Sequence, residues 1–205
     1  SEIGYWNNFI PILDFESIEG YVGSIQDYVN KGMLKEASEL YYPVRLKPRG
    51  INSPDNLLHK GVDHIELRML DLNPLFEAGI DKNDLNFIHY LIIYLSLKPE
   101  LTLNEEQQRT AIQNMKSASM LNPADIMITS TDGASNNVTE EIEKILNDMN
   151  STLSEYIQKE KVDSVISYQM DKIKKENCRY ADIIIKKYGD DFVKDGLKHI
   201  LQYKD

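Results

Sequence analysis

Length, composition and charge restrict the classes of protein to which this chain can belong. Its 205 residues are 41% hydrophobic and 27% charged, ordinary values for a globular protein that exclude disorder over the whole chain. The formal net charge of −10 disfavours nucleic acid as a partner, because a broad phosphate-binding surface needs an excess of basic residues. No apolar run reaches the roughly 18 residues of a membrane-spanning helix, so no membrane partner is expected.

The start of the chain and its cysteine content indicate where the protein works. The first residues lack a secretory signal and an initiator Met, so we expect a cut or processed piece of a longer chain. Cys178 is the single cysteine and cannot form an internal disulfide. Together these features favour a cytoplasmic location.

The first part of the chain combines one predicted helix with predicted strands. Apolar residues at helical spacing predict an amphipathic helix over 15–30, which Gly32 terminates. Residues 39–47 are rich in aromatic and β-branched side chains and predict a strand, with Pro43 at an edge or a bulge. A loop rich in Pro, Gly, Asn and Ser is predicted over 47–56.

Residues 62–69 alternate between apolar and polar side chains and predict a second strand. One face would be apolar and buried, and the other polar. The apolar set is Ile65, Leu67 and Met69, and the polar set is His64, Glu66 and Arg68. Glu66 and Arg68 would project about 7 Å apart, a distance at which a carboxylate can hold Mg²⁺ while a guanidinium binds a phosphate on the same metal. From spacing alone, a solvated strand face with a surface ion pair is the simpler interpretation.

Tyr41, Tyr42 and Arg45 form a second candidate group, in which Tyr41 and Arg45 carry the argument. These two are four residues apart, so they share one face if the strand is regular, and a phenol and a guanidinium can bind a carboxylate or a phosphate together. The pattern alone again favours the simpler interpretation, aromatic residues of the core or rim beside a surface arginine. No Cys/His cluster has the spacing of a metal site, and the sequence contains no Gly-rich phosphate loop.

The remainder of the chain is predicted to be mostly helical, with a polar loop over 129–137. Asp81 can cap a helix to about residue 97, and Asn104 can cap the next one. The inward residues of the first of these helices are predicted to be Leu85, Ile88, Leu91, Ile92 and Leu95. We therefore expect an α+β fold that is mostly helical with a small antiparallel sheet, divided into a strand-containing part, 1–100, and a helical part, 101–205.

Three segments carry a resemblance to a known family. They are SEIGYWN at 1–7, ELYYPVR at 39–45 and GVDHIELRMLDLNP at 61–74. In this order and at these separations they resemble the C-terminal half of bacterial glutamate–cysteine ligase, whose patterns are S-x-[IL]-G-Y-x-N, E-L-Y-x-P-[IV]-R and G-[IV]-x-x-[IL]-E-x-R-x-L-D-[IL]-N-P. The resemblance is strong over 1–97, whereas over 98–205 only the helical character agrees.

The resemblance implies a reaction and a fold. ATP would phosphorylate the γ-carboxylate of glutamate, and the amine of cysteine would displace the phosphate to give γ-glutamylcysteine, the first step of glutathione biosynthesis. Mg²⁺ and ATP are the implied cofactor and co-substrate. The implied fold is similar to that of glutamine synthetase, an antiparallel sheet curved around a metal-rich funnel and flanked by helices.

The resemblance also implies roles for four residues. Glu66 matches a carboxylate that binds an active-site Mg²⁺, and Arg68 matches an arginine that holds the ATP phosphate and the transferring phosphoryl group. Tyr5 and Tyr41 match tyrosines that recognise the cysteine substrate. Because phosphoryl transfer depends on metal and guanidinium charge placed against the developing oxygen charge, Arg68 is also the expected catalytic residue.

The other metal carboxylates and the glutamate-binding residues of the family lie upstream of Ser1. We therefore expect the N-terminal half of the ligase domain as a partner, and no activity from the isolated chain. A sheet without its neighbouring strands has uncovered edges, for which a homodimer is one remedy. Two other functions stay open: a non-catalytic helical interaction domain that keeps the strand motifs for packing, and a related carboxylate–amine ligase with another amine substrate.

Overall fold

The computed structural model describes residues 6–119, 125–175, 177–189 and 191–202, the stretch 199–202 by its backbone alone. These residues form two compact units. The first, which we call the strand unit, contains 6–71, 100–119 and 126–135, and the remaining described residues form the second, which we call the helical unit. The division at residue 100 was drawn from composition alone and stays a prediction.

The described residues form eight α-helices and four short strands. The helices are α1 (Ile18–Asn30), α2 (Pro54–Lys60), α3 (Lys82–Ser96), α4 (Glu105–Ala118), α5 (Val138–Leu153), α6 (Lys159–Lys174), α7 (Tyr180–Tyr188) and α8 (Phe192–Gln202). The strands are β1 (Val44–Lys47), β2 (His64–Leu67), β3 (Met127–Thr129) and β4 (Ser135–Asn137). The expectation of a mostly helical α+β fold with small antiparallel sheets is confirmed. No described helix combines the length and the apolar character that crossing a membrane requires.

The strand unit packs its sheet against α1. The apolar core of this unit consists of buried residues from α1, α2 and the connecting segments, namely Leu13, Tyr21, Val22, Ile25, Leu34, Leu40 and Leu57. Leu46 of β1 packs against this core. β1 and β2 are antiparallel, with Arg45 opposite Glu66 and Leu46 opposite Ile65, so the charged pair and the apolar pair lie on opposite faces of the sheet.

The predicted strand over 39–47 is shorter in the structure. A single 3₁₀ turn (Ala37–Glu39) precedes it, and the ladder begins only at Val44, because Pro43 has no N–H to donate. The carbonyl of Pro43 nevertheless accepts from the Arg68 amide at 2.8 Å. The predicted loop over 47–56 ends in α2, for which Ser53 is the N-cap and Pro54 the first helical residue.

The expected burial of the apolar face of β2 is wrong. Ile65 is 41% exposed and Met69 is 57% exposed, and Leu67 is half-buried. The physical reason is the size of the sheet, since among the described residues β2 has only β1 beside it. Leu46 therefore reaches the core whereas Ile65 lies at the outer edge.

The helical unit has its own core, formed by α3, α5 and α6. Its buried residues are Tyr94, Leu146, Met149, Leu153, Val162 and Ile166. The predicted capping of α3 by Asp81 is confirmed. Of the predicted inward residues, Leu91 does pack at this core, but the prediction is wrong for Leu85, Ile92 and Leu95, which are exposed. The other α3 residues at this core are Phe87, Tyr90, Ile93 and Tyr94. Since α3 is apolar around most of its circumference, periodicity alone could not select the face.

Candidate functional site

Three of the four predicted site residues can be located in the structure. Glu66 lies in β2, Arg68 follows directly after that strand, and Tyr41 lies just before β1. Tyr5, the fourth predicted residue, lies outside the described residues. If Tyr5 and Tyr41 both recognise the cysteine substrate, their side chains must converge on one pocket, and this stays a prediction.

Glu66 is surrounded by basic side chains of the same sheet face. Its Oε2 atom is buried and lies 3.1 Å from Nζ of Lys47 and 3.9 Å from Nε of Arg45. The contact between Oε2 and Lys47 is an ion pair. The side chains of Arg45 and Lys47 are only 13% and 14% exposed, so both cations are held largely out of water.

These surroundings decide the charge state of Glu66. Burial alone would raise its pKa, but the contact with Lys47 and the charges of Arg45 and Arg68 outweigh burial, so the pKa of Glu66 is lowered. Glu66 is therefore ionised at neutral pH. One carboxylate among three cations leaves this face positively charged, although the whole chain carries a net charge of −10.

Arg68 and Tyr41 meet at the wall of a cleft of about 430 Å³ in the strand unit. The Arg68 guanidinium lies 5.0 Å from the centre of the Tyr41 ring, a cation–π distance, and the Tyr41 hydroxyl donates to the Arg68 carbonyl at 3.4 Å. The ring of Trp6 meets that of Tyr41 edge-on, with 5.9 Å between centres. Among the described residues, no carboxylate forms an ion pair with the Arg68 guanidinium, which is thus a charge that an anionic ligand can reach.

Two residues of this region were missed from the sequence. The side-chain amide of Asn7 donates to the Tyr41 carbonyl at 2.7 Å and accepts from the Tyr41 amide at 3.0 Å. Asn7 belongs to the first segment of the resemblance, but no pattern links it to a residue 34 positions away. Lys47 could have been found, because it lies two residues after Arg45 and so shares its face of the strand.

The described residues do not form a complete Mg²⁺ site. Mg²⁺ takes about six oxygen ligands in octahedral geometry, and usually one or two of them are carboxylates. Among the described residues, no group of three or more His, Cys, Asp or Glu side chains could hold a metal ion. Glu66 is a single carboxylate that already pairs with Lys47. Its expected role as an Mg²⁺ ligand stays a prediction.

Two solved structures share the architecture of this chain. The glutamate–cysteine ligase of Francisella tularensis, solved in complex with AMP, superposes with a TM-score of 0.80 over 96% of this chain and 45% of that chain, at 17% identity. The bifunctional glutathione synthetase of Pasteurella multocida superposes with a TM-score of 0.76 over all of this chain and 26% of that chain, at 22% identity. At these identities the likeness establishes the fold, which is therefore one found among ligases of glutathione synthesis.

The sequence comparisons establish the family. The profile of glutamate–cysteine ligase matches residues 7–118. The glutathione biosynthesis bifunctional protein of Listeria monocytogenes is 37% identical over 110 residues, and that of Desulfotalea psychrophila is 32% identical over 157 residues, which are 52% and 75% of this chain. This chain belongs to the glutamate–cysteine ligase family, as the three sequence segments indicated. It spans only 14% and 19% of the length of these two relatives.

Proposed function

We propose that this chain is part of an ATP-dependent glutamate–cysteine ligase, which joins glutamate and cysteine into γ-glutamylcysteine through a γ-glutamyl phosphate. Family membership supports the proposal, as do the relatives, which are glutathione biosynthesis proteins. The observation that carries it is the positively charged face of the β1–β2 sheet in an acidic chain, because phosphoryl transfer requires concentrated positive charge.

In this proposal Arg68 binds the phosphate of ATP and the transferring phosphoryl group. A guanidinium presents parallel N–H donors that match phosphate oxygens, and it stabilises the charge that develops on them during transfer. The Tyr41 ring holds the guanidinium at the wall of the cleft. The ionised Glu66 offsets the repulsion between Arg45 and Lys47, so that several cations can share one face.

Glu66 is the proposed contribution of this chain to the binding of Mg²⁺, which when bound neutralises phosphate charge. The described residues do not complete such a site, so the other ligands would come from the N-terminal half of the ligase domain, the proposed partner. We also propose that the isolated 205-residue chain is inactive for the same reason. A homodimer that covers the sheet edge, and a cytoplasmic location, complete the proposal.

Tyr41 and Tyr5 are the proposed recognition residues for the cysteine substrate. The position of Tyr41 supports this role, because Tyr41 lines the same cleft as Arg68. An amine substrate bound against Tyr41 would therefore lie beside the group that binds phosphate. That proximity is what the second step requires, since the amine must attack the acyl carbon that carries the phosphate.

The test compares the isolated chain with the full-length protein that contains it. Each is incubated with ATP, Mg²⁺, glutamate and cysteine, and ADP and dipeptide are measured. We expect γ-glutamylcysteine from the full-length protein and none above background from the isolated chain. ADP release only with another amino acid would indicate a related carboxylate–amine ligase. No ADP release with any amine would favour the interaction domain, and full turnover by the isolated chain would contradict the proposed division of the site.

A further inference from the structure

We propose that Asn7 is a positioning residue, which fixes the backbone of Tyr41 so that the Tyr41 ring is held at the wall of the cleft. The contact itself is independent of the proposed function. Its consequence for catalysis rests on that function, because it assumes that Tyr41 recognises the amine substrate. Asn7 would act through Tyr41, so it is not a catalytic residue in the proposed reaction.

The contact consists of two hydrogen bonds from one planar group. Nδ2 of Asn7 donates to the Tyr41 carbonyl at 2.7 Å, and Oδ1 of Asn7 accepts from the Tyr41 amide at 3.0 Å. A carboxamide is the side-chain group that carries a donor and an acceptor side by side, as the edge of a peptide does. The pair of bonds also fixes the orientation of the amide, since the flipped amide would place two oxygens and two N–H groups against each other.

The Asn7 side chain makes the two backbone hydrogen bonds to Tyr41 that a neighbouring strand would otherwise make. Tyr41 lies outside the ladder, which begins at Val44, and within the described structure the backbone N–H and C=O of Tyr41 have no backbone partner. Asn7 supplies both partners from a segment 34 positions away. Leu40, the residue that precedes Tyr41, is buried in the core of the strand unit. The Tyr41 backbone is thus held by the core through Leu40 and by Asn7.

Fixing this backbone fixes the wall of the cleft. The ring of Tyr41 supports the Arg68 guanidinium at 5.0 Å and forms a T-shaped contact with the ring of Trp6. A shift of the Tyr41 backbone would move the ring that is proposed to meet the amine substrate. Loss of Asn7 should therefore weaken binding of that substrate more than it lowers turnover at saturation.

The first arm of the test measures hydrogen exchange in the 205-residue chain. In Asn7→Ala we expect exchange of the Tyr41 amide to accelerate by about tenfold or more, because its acceptor is removed, while amides of α1 keep their protection. Asn7→Asp keeps the acceptor but loses the donor, so its Tyr41 amide should exchange more slowly than in Asn7→Ala. Unchanged exchange of the Tyr41 amide in Asn7→Ala would overturn the proposed contact.

The second arm measures kinetics in the full-length protein. We expect Asn7→Ala and Asn7→Asp to raise KM for cysteine about tenfold, the effect of losing roughly one to two hydrogen bonds, with KM for ATP and kcat changed by less than about threefold. Asn30, an exposed residue at the end of α1, provides matched controls, and Asn30→Ala and Asn30→Asp should leave all three constants unchanged. A merely structural role would lower the folded fraction and therefore kcat alone.

The two arms separate this inference from the proposed function. Faster exchange at Tyr41 with an unchanged KM for cysteine would overturn the positioning role. A fall in kcat alone would do the same. If the unaltered full-length protein formed no γ-glutamylcysteine, the proposed function would fail, and the exchange of the Tyr41 amide would still decide whether Asn7 fixes its backbone.

Discussion

Each unit of this chain contains a cation–π contact, but the two cations differ in whether a carboxylate balances their charge. In the strand unit, the Arg68 guanidinium lies over the ring of Tyr41, and in the helical unit Lys172 lies 4.1 Å from the centre of the Tyr180 ring. Lys172 also forms an ion pair with Asp84, so its charge is balanced. Arg68 lines a cleft and forms no such pair among the described residues. Of these two cations, Lys172 alone has an ion-pair partner among the described residues, and this difference is why Arg68 is the proposed phosphate-binding group.

The helical unit contains a polar network around Asp81 in which each charged group has a hydrogen-bond or ion-pair partner, and we call it a closed network. Asp81, which is buried, accepts hydrogen bonds from the hydroxyls of Tyr168 and Tyr180 and from the Asn83 amide. Burial would raise the pKa of Asp81, but these hydrogen bonds outweigh burial and lower it. Burial, Tyr168 and the nearby carboxyl groups raise the pKa of Tyr180. Every charge in this network has a partner, so we assign it to stability rather than to binding.

The largest expected effect tests the core of the helical unit. Leu153 is fully buried between α5 and α6, so Leu153→Ala should lower the free energy of unfolding by about 2–5 kcal/mol through lost burial and a cavity. Leu95 on α3 is 58% exposed, so Leu95→Ala should change stability by less than about 0.5 kcal/mol. Urea unfolding followed by circular dichroism measures both. Equal losses of unfolding free energy in the two variants would indicate that Leu95 is buried, as the sequence predicted.

A smaller loss of unfolding free energy is expected when Asp81 is removed from the closed network. Asp81→Ala removes the N-cap of α3 and the acceptor that the part-buried hydroxyls of Tyr168 and Tyr180 share, although these hydroxyls still contact each other. The change should cost about 2–3 kcal/mol in unfolding free energy. Asn104→Ala removes only the N-cap of α4 and its capping box, and should cost about 1 kcal/mol. Similar losses in the two variants would mean that the tyrosine contacts contribute little.

Asp81 also makes the stability of the helical unit depend on pH. The folded-state pKa of Asp81 is lowered from its ordinary value of 3.8, so its contribution is fully present above that pH. Below pH 3.8 the unfolded chain takes up the proton first, and the contribution is lost as the pH falls through the folded-state pKa. Acid titration of thermal unfolding should therefore show a steeper loss of stability for the unaltered chain than for Asp81→Asn. Parallel curves would contradict the assignment.

The smallest stability effect is expected in the strand unit. The Glu66 side chain is 40% exposed, and solvent screens its ion pairs, so Glu66→Gln should change the free energy of unfolding by no more than about 1 kcal/mol. Because the pKa of Glu66 is lowered, the difference should begin to shrink below its ordinary value of 4.5 and vanish as the pH falls through its folded-state pKa. Glu16→Gln, at an exposed position of the same unit, is the control. If Glu66→Gln lowered the free energy of unfolding as much as Asp81→Ala does, Glu66 would belong to a closed network and not to an open binding face.

The sequence predicted local features better than distant contacts. The alternation over 62–69 placed Glu66 and Arg68 on one face, and the capping residues Asp81 and Asn104 marked the starts of two helices. The segments around α2 were misjudged because Ser53 and Pro54 serve both loops and helix starts. These patterns act over a few residues, which is why they can be recognised without a structure.

The rest of the site depends on contacts that no local pattern encodes. The bond between Asn7 and Tyr41 joins two segments 34 residues apart, and the ion pair between Lys47 and Glu66 depends on the register between strands. The exposure of Ile65 likewise depends on the size of the sheet, since among the described residues β2 has only β1 beside it. Roles such as that of Arg68 came from family resemblance, because spacing alone favoured a solvated face.

Replacing Arg68 in the full-length protein and measuring the turnover number tests whether the β1–β2 face binds phosphate. We expect Arg68→Ala to lower kcat by about 10²–10³-fold, because a charge that stabilises the transferring phosphoryl group is removed. Arg49, an exposed arginine in the loop after β1, provides the matched control, and Arg49→Ala should stay within about twofold of the unaltered protein. An unchanged kcat in Arg68→Ala, or an equal loss in both variants, would contradict the claim that the β1–β2 face binds phosphate.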